Sequence, residues 1–131
     1  MLNQETRNMH NFKHLDIWVK SKDLVKDIYQ ITCSFPNSEM FGLTSQIQRA
    51  AVSIPSNIAE GSAKSSNKDF SRFLEISIGS SFELETLFIL AFDLGYIDKS
   101  WFECFGLKIN EIQKMLIGFK HKLKPSWFYL S

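Results

Sequence analysis

Apolar residues recur at helical spacing along most of the chain, in four blocks separated by short polar breaks. Trp18, Leu24, Val25, Ile28, Ile31 and Phe35 form one stripe. Lys20, Lys22, Asp23, Lys26 and Asp27 fall largely elsewhere, which predicts a first helix over about 16–34. Asp16 is placed to cap it, and Pro36 disfavours helical geometry at Phe35. The second block, over about 41–61, carries two seams. Leu43, Ile47, Ala50, Ile54 and Ile58 make the apolar one. Gln46, Arg49, Ser53, Asn57 and Glu60 make the polar one, and both step by three or four residues along one helical face. Pro55 lies inside this block and predicts a kinked or widened helix held by packing; the alternative is a break into two short helices. Gly61 suits a left-handed cap at its end.

The third block, over about 68–95, is the most apolar. Phe70, Phe73, Leu74, Ser77, Ser81, Leu84, Leu87, Phe88, Ala91 and Leu94 trace an inner face, and Gly95 closes the helix. A second set, Ile78, Phe82, Ile89 and Phe92, lies on another side. A lone bundle needs only one stripe per helix, so this second set predicts contact between subunits. The fourth block, over about 98–123, places Trp101, Phe102, Phe105, Leu107, Ile109, Ile112, Leu116, Phe119 and Leu123 on an apolar side. Ser66 or Asn67 can cap the third helix, and Asp98 or Ser100 the fourth. Residues 1–11 are patternless and expected to fray. Pro125 ends the fourth helix. The tail over 125–131 carries Trp127, Phe128, Tyr129 and Leu130, which are expected to pack on their own subunit, a neighbour or a partner. These blocks predict an all-α, up-down-up-down antiparallel four-helix bundle forming one domain over residues 1–131.

Composition narrows the function classes. Only 6 Gly and 3 Pro leave little turn material for an all-β fold, and the 12 Phe supply a large buried area. The formal net charge of +1 excludes a strong field of one sign. Charge is nevertheless graded. Over 76–103, Glu83, Glu85, Asp93, Asp98 and Glu103 face Lys99 alone; over 104–131, Lys108, Lys114, Lys120, Lys122 and Lys124 face Glu111 alone. The five lysines are candidates for anion binding, against the plainer reading of a solubilising surface. Cys33 and Cys104 match no ligand spacing and are expected to be buried reduced thiols. No signal peptide or bilayer-length apolar run is present, which predicts a soluble, cytoplasmic protein without membrane contact.

Chemistry is sparse. Gln46, Arg49, Ser53, Asn57, Glu60, Arg72 and Glu83 are expected to form a structural polar network between the second and third helices, with Glu75 beside them. The competing reading makes Glu60 or Glu83 an acid or base, Arg49 or Arg72 an anion clamp and Asn57 an orienter. The Ser62–Asn67 loop lacks a P-loop pattern, no Glu-x-x-His pair occurs, and the central serines lack a histidine partner. His10 and His14 have no third ligand nearby. No catalytic residue, cofactor, metal or small-molecule substrate is therefore expected.

The segments FKHLDIWVKSKDLVKDIY, FGLTSQIQRAAVSIPSNIAEGSAKSSNKDFSRFLEISIGSSFELET and AFDLGYI resemble the four-helix-bundle proteins encoded in intervening sequences of bacterial 23S rRNA genes. The resemblance runs from about Phe12 to Leu123. It implies a homopentameric ring without catalysis. A related branch, the accessory protein of diversity-generating retroelements, binds a reverse transcriptase and nucleic acid, and is strongly basic where this chain is nearly neutral. The resemblance thus implies a scaffold whose partner is itself, and RNA or a nucleic-acid-processing protein. The alternatives are an adaptor that binds protein only, through the tail, and an enzyme acting at the Arg49–Glu60 seam.

Overall fold

The computed structural model of the protein describes residues 12–123. Residues 1–11, with His10, and residues 124–131, with Lys124 and the Trp127–Leu130 tail, lie outside the described residues. Four helices follow in order: α1 (Asp16–Thr32), α2 (Leu43–Ser62), α3 (Asn67–Asp93) and α4 (Lys99–Lys122). Single 3-10 turns precede α1 at Phe12–His14 and α2 at Asn37–Glu39. There is no β-strand among the described residues, and no helix there is long and apolar enough to cross a membrane.

Local chemistry sets the helix ends. Ser66 caps α3, its hydroxyl accepting from the Asp69 N–H at 3.1 Å. Asp98 caps α4, accepting from the Trp101 N–H at 2.8 Å. That N–H, with the Ser100 hydroxyl, holds the Asp98 carboxyl below the usual carboxylate range. The cap position of α1 is Leu15, so Asp16 lies inside the first turn; it complements the helix dipole but makes no capping bond. α3 closes in a Schellman motif. Gly95 adopts φ +80, its N–H reaches the Phe92 carbonyl at 2.9 Å, and the Tyr96 N–H reaches the Ala91 carbonyl at 2.9 Å.

One apolar core joins the four helices, with Ile28, Ile47, Ile58, Leu74, Leu84 and Leu116 sealed from solvent. α2 packs on α1 and α3, and α4 packs on α3 and, more thinly, on α1. Among the described residues no backbone of α1 comes within 8 Å of α3, nor α2 of α4, Cα to Cα, so the diagonal pairs meet only through the core.

α2 runs unbroken through Pro55, so the two-helix alternative does not occur. An interior proline costs about 3 kcal/mol. Here it is flanked by the buried Ala51, Ile54 and Ile58, and the buried Ser77 hydroxyl of α3 donates to the Ile54 carbonyl at 2.9 Å. Gly61 is not a cap. It is buried inside the last turn of α2, and a Cβ there would lie 2.7 Å from Phe73 Cβ and 2.8 Å from Phe70 Cδ1. Its lack of a side chain brings α2 and α3 together.

Expected burials fail at five residues, Cys33, Cys104, Leu94, Trp101 and Leu107. Cys33 and Cys104 are free but exposed, one just past the end of α1 and one on the outside of α4. Leu94 is exposed because α3 ends one residue before it. Leu107 is 74% exposed, out of phase with the buried Phe105, Ile109 and Ile112.

Candidate functional site

The polar seam of α2 meets α3 in an open groove of about 330 Å³ lined by Gln46, Arg49, Ala50, Ser53, Ser80 and Glu83. Ser53 and Ser80 within it belong to a short hydroxyl and amide chain. Ser53 Oγ lies 2.8 Å from Ser80 Oγ, and Asn57 Nδ2 donates to Ser53 Oγ at 3.0 Å and to the Ser53 carbonyl at 2.8 Å. Its charged members stay in water. Gln46, Arg49, Glu60, Arg72 and Glu83 are exposed. Among the described residues Arg49, Glu60 and Glu83 form no ion pair, and Arg72 reaches only Asp69, at 4.0 Å. The groove brings Gln46, Arg49, Ser53 and Glu83 together, while Asn57, Glu60 and Arg72 do not line it. Ser53 has an amide and a second hydroxyl as neighbours. Neither is a base at neutral pH.

The second apolar set on α3 divides. Ile78 packs against the core, and Phe92 stacks on Phe102 with ring centroids 4.3 Å apart. Phe82 and Ile89 are 49% and 43% exposed.

The lysines of α4 are dispersed. Six-residue steps turn about 120° round a helix, so Lys108, Lys114 and Lys120 point in three directions. Lys108 pairs with Asp27 of α1 at 3.0 Å and lies over the Phe105 ring; Lys120 pairs with Glu75 of α3 at 2.8 Å. Asp27 raises the Lys108 ammonium above its ordinary value. Lys114 and Lys122 form no ion pair among the described residues. A further pair, Lys20 with Glu111, joins α1 to α4 beside the first. No group of three or more His, Cys, Asp or Glu able to hold a metal ion is found among the described residues.

Two features escaped the sequence reading. Between α3 and α4 an apolar groove of about 470 Å³ is lined by Phe88, Ile89 and Phe102, with Glu103, Leu107 and Asn110 along α4. In the turn before α2, Phe41 is 94% exposed beside the exposed Met40. The signal available was phase: Met40, Phe41 and Leu107 fall off the stripes of their neighbours.

None of the curated proteins matches the chain. A crystal structure of a protein with unknown function from the S23 ribosomal protein family of Bacteroides thetaiotaomicron VPI-5482 is similar. It shares 26% identity with a TM-score of 0.74, over 80% of this chain and 95% of that one. The family model for the 23S rRNA-intervening sequence protein matches residues 13–118. The four helices fall almost wholly within that span, and the chain belongs to the 23S rRNA-intervening sequence protein family.

Proposed function

We propose that the protein is a non-catalytic scaffold that works as an assembly of identical copies. Each copy is read as an up-down-up-down bundle, and the assembly as a ring, with five copies as the family resemblance implies. The observation that carries this reading is the bare apolar flank of α3, where Phe82 and Ile89 stand in solvent on a helix whose opposite face is already buried. Large apolar side chains grouped on one flank mark a surface that meets protein. The partner beyond self is RNA or a nucleic-acid-processing protein in the cytoplasm. Lys114 and Lys122, repeated around a ring, offer weak sites summed by avidity. The engagement of Lys108 and Lys120 within the subunit favours protein over RNA as the stronger contact.

Light scattering coupled to size exclusion tests the assembly. A molar mass several times the 15.2 kDa of one chain, reduced by Phe82→Glu, is expected. A monomer at micromolar concentration overturns the reading. Retention of structured RNA on filters, measured across salt, separates the two partner classes.

A further inference from the structure

We infer that Phe41 is a preformed plug that seats in the α3–α4 groove of a second copy, so that copies interlock head to tail. The inference rests on the self-assembly reading above and specifies which surfaces meet.

Phe41 is almost wholly bare, yet the turn that carries it is fixed. The Met40 N–H reaches the Asn37 carbonyl at 3.1 Å and the Gly42 N–H the Glu39 carbonyl at 3.0 Å. Glu39 Oε1 accepts from the Leu43 N–H at 3.3 Å, and Glu39 Oε2 accepts from the Tyr96 hydroxyl at 2.9 Å. A ring held out on such a frame loses little freedom on docking, which is what a strong anchor needs. Its 94% exposure also shows that it touches almost nothing in its own chain.

The groove supplies what the ring lacks. It is lined by Phe88, Ile89 and Phe102, Leu107 stands open at its edge, and Glu103 beside it reaches Lys99 of its own helix at 4.0 Å. Level also agrees. The Tyr96–Glu39 bond sets the Phe41 turn beside the α3–α4 turn. Phe102 and Leu107 lie about 5 and 12 Å along α4 from its start, at about 1.5 Å per residue. Copies standing side by side therefore bring plug and groove to similar heights. Plug and groove are different patches of one chain, so the contact is heterologous; repeated, it builds a ring where the rotation closes and a filament where it does not.

The test uses the full chain with Phe41 replaced by photo-reactive p-benzoylphenylalanine. Unlabelled and nitrogen-15-labelled chains are mixed, irradiated and mapped by mass spectrometry. Crosslinks between chains that land on 85–110 are expected. Phe41→Ala and Leu107→Glu are each expected to weaken association about tenfold or more while leaving the thermal midpoint of the fold near wild type, since both side chains are exposed. Crosslinks confined to one chain, or landing elsewhere on the neighbour or on the tail, overturn the inference while the assembly stands. So does wild-type association in both variants. A monomeric wild type overturns the inference together with the scaffold reading.

Discussion

Tyr96 donates its phenol hydrogen to Glu39 Oε2 at 2.9 Å, tying the turn after α3 to the turn before α2. The bond stabilises the protonated phenol and raises its pKa above the ordinary tyrosine value. A raised folded-state pKa gives stability that is fully present below the unfolded value and lost as pH rises through the folded one. Tyr96→Phe is therefore expected to lower the thermal midpoint throughout neutral pH. The difference from wild type should vanish in strongly alkaline solution. Melts followed by circular dichroism across pH check this.

Asp98 gives the opposite sign. Its carboxyl is depressed, first by the Trp101 N–H and then by the Ser100 hydroxyl. Its contribution is present above the unfolded carboxylate value near 3.8 and is lost as pH falls through the lower folded value. Asp98→Ala is expected to fray the start of α4 at neutral pH. Asp98→Asn keeps a capping oxygen and should flatten that part of the acid limb, read as the slope of stability against pH.

Gly61→Ala is expected to destabilise by about 1–3 kcal/mol in urea titration, as overpacking does. The added carbon meets Phe73 Cβ at 2.7 Å, and a Cβ moves only with its backbone.

Ser77→Ala removes a buried donor to the Ile54 carbonyl and is expected to cost about 1 kcal/mol. Ser53→Ala, at the half-open groove where water replaces the lost partner, should cost less. Urea midpoints of the two variants, compared at equal slope, decide the order.

The thin α1–α4 seam carries the pairs Lys20–Glu111 and Lys108–Asp27, all close to solvent. Raising ionic strength to about 1 M cuts the screening length to about 3 Å. Amide exchange in α1 should then quicken relative to α2 and α3, and Lys108→Ala should give much of that change at low salt. Exchange measured by mass spectrometry at two salt concentrations reports it.

The four helices were legible because periodicity and capping chemistry are local. The stripes of α2 and α3, the caps at Ser66 and Asp98 and the glycine at Gly95 all speak within a few residues. The family was legible too, from the block around Arg49–Gly61. Facts that depend on a neighbouring helix were not. Gly61 reads equally well as a terminator or as a point of close approach until Phe70 and Phe73 are seen against it. Lys108 reads as free charge until Asp27 of α1 arrives beside it. The bareness of Phe41 and Leu107 is a property of what fails to pack over them, which a single-chain pattern does not encode.

The seam between α2 and α3 carries small residues, Gly61, Ser53, Ser77 and Ser80, with hydroxyls reaching across it. At Gly61 and Ser77 the two helices approach closely and are shut to solvent, while the groove at Ser53 and Ser80 stays open, so the sealed stretch is what holds the two rods together. Local opening samples the least-packed units first. The hairpin they form is thus the chain's last redoubt against denaturant, with α1 the first piece to lift away.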